Sequence, residues 1–383
     1  MEGRAQNPKR VPTMIPALFV SNSRFLEAGG GGVQWCTREF LDTLRCGGFN
    51  CIEHAYQVDA RPQARLRRKW SPQPFADLHA PSLATAIIER AREPEVAVIF
   101  LNNSEALALA PRLRALAPEL RLVFLSHGVE ITDEVNQLRL SPDQLPRHRR
   151  RPRWLGELLS HEISVRKAID GTLCISKEDL LFEAWLGAPA SCFIPRTIPD
   201  DRLDRHPVRG RIGTVSTLNH IPNLDGISQL ATVLESARVR LRVVGGPESV
   251  GRQLESRYAA IEYAGRLDDT ALREEAATWS AFVNPVFCQA RGASTKVATA
   301  LGWGLPVLTT HQGARGYCWD EEVLPLANCA SALAEMARKF ADEPESERGT
   351  SAAASIACLA PTPIRAGVMI ADFVRSLGDR STK

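Results

Sequence analysis

The chain has 383 residues, 44% of them hydrophobic and 24% charged, and a formal net charge of +3. That length predicts about two domains of roughly 150 residues, each able to bury its own core. The near-balanced charge, without zinc-finger spacing or aromatic-interleaved basic stretches, argues against a nucleic-acid partner.

Taken in chain order, short apolar runs alternate with amphipathic windows, which is the pattern of parallel strands joined by crossover helices. In the first half Met14–Val20, FNCIEHAY, Val96–Asn102, LRLVFLSHG and GTLCIS read as strands. Helices are expected over Val33–Arg45, Ser82–Arg92 and the stretch after Ser104. Around Thr197–Arg211 proline, glycine and charge accumulate and apolar periodicity lapses, which marks a domain boundary. The second half repeats the alternation with strands GRIGTVS, RLRVVGG, AIEYAG, AFVNPV and PVLTT, and helices near Asn223–Ser236, Asp269–Trp279 and Lys296–Trp303. A last helix, Ile364–Leu377, follows a Pro-Thr-Pro break. The fold class is therefore α/β, with two Rossmann-like, doubly wound parallel-sheet domains facing a central cleft. The division expected is 1–200, 201–360 and a closing helix in 361–383.

Four places along this frame carry chemistry. EAGGGGVQ follows the first strand and opens a helix; its glycines either let a ligand approach closely or form a flexible surface loop. The spacing fails the dinucleotide fingerprint, whose third glycine would fall on Gln34. LSHGVE places His127 just past a buried strand, where open α/β sheets bind ligands. GTVSTLNHIPNLDG offers Asn219 and Asn223 at the entry to the second domain, and LRVVGG ends a strand on Gly245. Lastly, Asn284–Tyr317 runs strand, glycine turn, helix, strand. Its turn Arg291-Gly292-Ala293-Ser294 leads into a helix at Thr295 whose first amides and positive dipole end suit an anion, with the cation of Lys296 beside them.

The run RGASTKVATALGWGLPVLTT resembles the nucleotide-sugar site of family-four glycosyltransferases of the two-domain GT-B type. The likeness covers most of the chain and is sharpest over Ile212–Tyr317. It implies a sugar transferred from a nucleoside diphosphate to an acceptor hydroxyl, with retention and without a metal, and a closing helix that crosses back onto the N-terminal domain. In that frame His127, Arg291 and Lys296 are the candidate catalytic residues. Gly30, Gly31, Gly32, Asn219, Gly245, Gly292, Ala293, Ser294, Thr295 and Thr299 are the candidate donor contacts. Two positions depart from the family: Arg291 and Thr299 stand where many members carry glutamates, the second of which holds the ribose. Arg291 is expected to pair with a phosphate instead.

The acceptor is expected on the N-terminal domain, from loops near Gln57–Ser82 and Val135–Trp154, and is a carbohydrate, a lipid-linked sugar or a small molecule. The basic runs Ala64–Trp70 and Arg147–Trp154 read either as solvated surface or as a platform for peripheral membrane contact. Nine scattered cysteines without a CxxC pair predict free thiols, hence the cytoplasm, with any membrane contact at its inner face. No apolar run of spanning length is expected. Thr299 also motivates an alternative, a non-catalytic protein of the same fold that binds a partner transferase or a glycan. An epimerase of related fold is a further alternative, and a hydrolase is disfavoured because no GxSxG elbow is present.

Overall fold

A computed structural model describes residues 14–378, apart from 28–29, 71–74, 76–77, 94, 145–151, 236–238 and 344–346, with the side chains of 67–70, 347 and 348 also outside the description. The basic run at 147–151 and the side chains of Arg67, Arg68 and Lys69 thus lie outside the described residues.

Two all-parallel sheets form the frame. The first holds β1 Ile15–Asn22, β2 Phe49–Tyr56, β3 Val98–Asn102, β4 Arg121–Ser126, β5 Gly171–Cys174 and β6 Ser191–Phe193, in the order β2-β1-β3-β4-β5-β6. The second holds β7 Arg211–Thr217, β8 Arg240–Gly246, β9 Ile261–Gly265, β10 Phe282–Asn284 and β11 Val307–Thr309, in the order β11-β10-β7-β8-β9. The helices that matter for the site are α1 Gly32–Cys46, α2 Glu130–Leu140, α3 Lys177–Trp185, α4 Ile221–Leu234, α5 Thr295–Gly302, α6 Glu347–Leu359 and α7 Pro363–Ser376. The sequence reading does not include α3, α6 or β6. α3 is nine residues long, α6 is rich in small residues, and β6 is only three residues long.

Because strand side chains alternate faces, the first sheet divides its apolar residues between two helical layers. Leu18, Val20, Ile99, Leu101, Leu122 and Phe124 pack with Ile87 and Leu113 on one face. Ala17, Phe19, Val98, Phe100, Val123 and Leu125 pack with Phe40 and Leu44 of α1 and Ile370 and Val374 of α7 on the other. The last helix therefore does cross back onto the N-terminal domain. Gly47, just past α1, and Gly367 of α7 allow the crossing, since a Cβ on either would strike the other's backbone.

Among the described residues, Gly349–Ser376 is long and apolar enough to cross a membrane, against the expectation that no such run exists. The stretch is broken at 360–362, with Thr362 capping α7 through Arg365 N at 3.2 Å. Its halves pack on different domains, Ala353 and Ile356 of α6 in the second core and Ala366 and Ile370 of α7 in the first.

Candidate active site

Each sheet has a point where strand order reverses, between β1 and β3 in the first and between β7 and β10 in the second. Loops diverge there, so a crevice opens at the carboxyl ends of the strands. At the second of these points Lys296, in the first turn of α5, donates through Nζ to Ser216 Oγ at the end of β7 and to Asn223 Oδ1 in α4, both at 3.0 Å. Burial, with the charge of Arg315 added to it, pulls the Lys296 ammonium down to about 7. Among the described residues no carboxylate lies within ion-pair distance of Lys296.

The N-terminal end of α5 is held from outside the helix. Val297 N turns back to Ser294 O at 3.1 Å, and Ala298 N donates to Tyr317 Oη at 3.1 Å. Tyr317 Oη donates in turn to Ser294 O at 2.5 Å. The first amides of a helix have no intrahelical partner, so those of Thr295 and Lys296 and the positive end of the dipole face the cleft. Across it stand exposed Gly30, Gly31 and Gly32, with the amide of Gly31 donating to Gln34 Oε1 in the first turn of α1 at 3.1 Å. A Cβ on Gly32 would lie 3.0 Å from Thr295 Oγ1, so the two helix starts confront each other at close range.

A second junction joins the domains. His127-Gly128 and Arg291-Gly292 meet backbone to backbone. Gly128, at φ 104°, has no room for a Cβ beside Gly292 N, and Gly292, at φ 62°, packs its open side on the His127 carbonyl. Buried Asp179 fastens this contact by accepting from Gly292 N at 2.7 Å, Val129 N at 3.3 Å and Ser176 Oγ at 2.5 Å. Ser176 also caps α3 by accepting from Asp179 N at 3.0 Å. The sequence reading passed over Asp179, although its S-x-x-D spacing is a capping signal.

Arg291 does not stand free for a phosphate. Its guanidinium pairs with Glu130 Oε1 and, at 2.7 Å, with Asp133 Oδ2, both at the start of α2. Burial works against its charge, but Glu130 and Asp133 outweigh burial and hold the guanidinium fully charged. Glu130 itself is fixed by its amide, which donates to Glu162 Oε1 at 2.9 Å. Where the sequence suggests a phosphate partner for Arg291, two carboxylates from the opposite domain pair with it.

His127 is buried, with Nε2 2.8 Å from Asn102 Oδ1. Asn102 Nδ2 lies 3.0 Å from both Ser21 Oγ and Thr37 Oγ1, which orients its oxygen toward the imidazole. Nε2 therefore carries the proton and Nδ1 is an acceptor. Burial first, then the charges of Arg291 and Arg196, lower its pKa to about 3, so the ring is neutral. The one N–H of the neutral ring is thus committed to Asn102.

The remaining candidates divide. Gly292, Ala293, Ser294 and Thr295 form the turn into α5, as read from the sequence. Asn219 is exposed in the turn after β7, and the neighbouring Asn223 makes the contact with Lys296. Gly245, at φ 134°, is pressed onto the Ser216 carbonyl of the adjacent strand, so packing within the sheet accounts for its lack of a side chain. Thr299 turns its hydroxyl toward Thr295 O, 3.5 Å away on its own helix. Among the described residues no group of three His, Cys, Asp or Glu side chains is placed to hold a metal ion.

Residues 209–342 match the family model described as Glycosyl transferases group 1. No curated protein sequence matches the chain significantly. Among solved structures, HepE of Anabaena, crystallised with UDP-glucose, superposes with a TM-score of 0.63 at 15% identity, covering 94% of this chain and 100% of that one. The trehalose-6-phosphate synthase OtsA gives 0.61 at 12% identity over 94% and 98%. An α,α-trehalose-phosphate synthase of Burkholderia xenovorans, with glucose-6-phosphate, gives 0.59 at 12% over 95% and 99%. The chain therefore has the GT-B glycosyltransferase fold, and its residues 209–342 are similar to group 1 glycosyl transferases.

Proposed function

We propose that this protein moves a sugar from a nucleoside diphosphate sugar to an acceptor hydroxyl. The donor lies on the second domain and the acceptor on the first. The observation that carries the reading is Lys296: a cation with no carboxylate partner among the described residues, at the start of α5, at the reversal point of the second sheet and opposite a second helix start. Negative charge that develops on the leaving diphosphate would meet preorganised positive groups in an enclosed site. Those groups supply what a divalent ion supplies elsewhere, so the reaction is metal-independent in this reading, and retaining as in the family it resembles. Gly30, Gly31 and Gly32 are the backbone that approaches the diphosphate from the other side. His127, neutral and anchored to Asn102, accepts a hydrogen bond from a sugar hydroxyl. The acceptor is a carbohydrate, a lipid-linked sugar or a small molecule; the nine free cysteines support a cytoplasmic setting, with peripheral contact at the inner membrane face.

A melting-temperature panel with UDP, GDP, TDP and ADP in the presence of a chelator tests the donor site, because a ligand selective for the folded state raises the transition by mass action. HepE was crystallised with UDP-glucose, so UDP is the first to try. One nucleotide should stabilise the protein, and turnover of its sugar conjugate then tests transfer. The orientation of Thr299 favours a second reading, a non-catalytic glycan-binding or transferase-binding protein; stabilisation by none of the nucleotides at millimolar concentration would bring that reading forward.

A further inference from the structure

Arg315 was not among the residues singled out in the sequence, and the donor reading above gives it a role. It lies in the segment after the short helix His311–Ala314, which runs along the donor turn: Gly316 packs on Ala293, and Tyr317 holds Ser294 O and Ala298 N. The residue is 8% exposed. Its Nη1 donates to Gln312 O and its Nη2 to Arg291 O at 3.2 Å, whereas Nε is buried without a hydrogen-bond partner.

Among the described residues no carboxylate comes within ion-pair distance of Arg315. Asp179, Glu178 and Asp133 act on it from further away. Asp179 is bonded to Gly292, Val129 and Ser176, and Asp133 is paired with Arg291. The charge of Arg315 also bears on Lys296, which likewise lacks a carboxylate partner. Two enclosed cations beside the positive end of a helix repel each other and are costly to desolvate, and a dianion placed between them offsets both costs.

We propose that Arg315 is a second ligand of the donor diphosphate, which it and Lys296 hold together at the start of α5. It takes the place that Arg291 would occupy were Arg291 not drawn away to α2.

Calorimetric titration with inorganic pyrophosphate, which needs no knowledge of the base, tests this on the full chain as wild type, Arg315→Gln, Arg315→Lys and Lys296→Met. The best nucleoside diphosphate and its monophosphate are titrated in parallel. Arg315→Gln should weaken pyrophosphate and the diphosphate roughly tenfold or more, as expected for loss of a charge-assisted bond. It should leave the monophosphate within a few-fold, a selectivity that a merely structural arginine would not produce. Arg315→Lys, which keeps the charge and serves if the glutamine variant does not fold, should retain most of the pyrophosphate affinity. The proposal is overturned if Arg315→Gln binds pyrophosphate like the wild type, if mono- and diphosphate weaken alike, if the lysine variant behaves like the glutamine one, or if the wild type binds no pyrophosphate. If pyrophosphate binds in an Arg315-dependent way but no nucleotide does, the cation pair stands and the nucleotide-sugar reading fails.

Discussion

Lys296 provides the sharpest quantitative test. Its ammonium is held near pKa 7, against an ordinary 10.5, by burial and by the charge of Arg315. A diphosphate beside it favours the charged form, so donor binding should raise this pKa and take up a proton. Complete recovery of the ordinary value would be about 3.5 units, or roughly 5 kcal/mol, which is the ceiling on the linkage. At pH 8 only about a tenth of the free protein carries the charge, so binding should absorb close to 0.9 proton, and only about 0.1 at pH 6. Affinity should accordingly fall as pH rises above 7, by up to about tenfold per unit until the bound-state pKa is reached. The same sign governs stability without ligand. A folded-state pKa below the unfolded one makes the charge a burden that is full below about pH 7 and gone above about 10.5, so Lys296→Met should stabilise the free protein more at pH 6 than at pH 10. The assay is titration of the best-binding nucleoside diphosphate at pH 8 in two buffers of different ionisation enthalpy, where the ligand's own last ionisation is complete. Equal heats in the two buffers, or a proton uptake that survives in Lys296→Met, would refute the reasoning.

Four further outcomes are expected. Arg291→Met and Glu130→Gln, combined in a double-mutant cycle on urea unfolding, should show a coupling of about 1–2 kcal/mol, since the pair is largely shielded from solvent; additivity within about 0.3 kcal/mol would mean the interdomain pair does little. Thr299→Glu should tighten a nucleoside diphosphate by about tenfold while leaving pyrophosphate unchanged, because the added carboxylate serves ribose hydroxyls alone; equal changes in both ligands would place residue 299 away from the ribose. Gly367→Leu should cost about 1–3 kcal/mol or more in unfolding free energy, as its side chain meets the backbone at Gly47, and an unchanged midpoint would deny the close crossing of α1 and α7. Finally, the pH profile of kcat/KM between pH 5 and 8 should show no limb from His127, whose pKa is near 3; an ionisation in that range that vanishes in His127→Asn would contradict the buried, neutral ring.

Much of the architecture was legible because parallel strands buried on both faces are short, continuous apolar runs. Val96–Asn102 and PVLTT stand out against charged helices without any knowledge of their partners. The glycine turn into α5 was legible for a related reason: Gly292 and the helix start at Thr295 are neighbours in the chain, so their joint geometry is local. The same holds for the last helix, announced by its prolines. Ser176 and Asp179 show the limit. Their spacing announces a cap, but the use of the Asp179 carboxylate to clasp Gly292 depends on a residue 113 positions away.

What the sequence determined by itself was the α/β alternation and the residue types along the turn Arg291–Ser294 into α5. Tertiary structure decided which partner each charge received. Arg291 looks from the sequence like a phosphate ligand, but Glu130 and Asp133, 161 and 158 positions earlier, claim it across the domain junction. Arg315, an unremarked arginine in the sequence, is left without a carboxylate partner among the described residues. Local sequence sets the dihedral preferences and the apolar period of each segment, whereas the electrostatic role of a side chain depends on the burial and neighbours that long-range packing supplies.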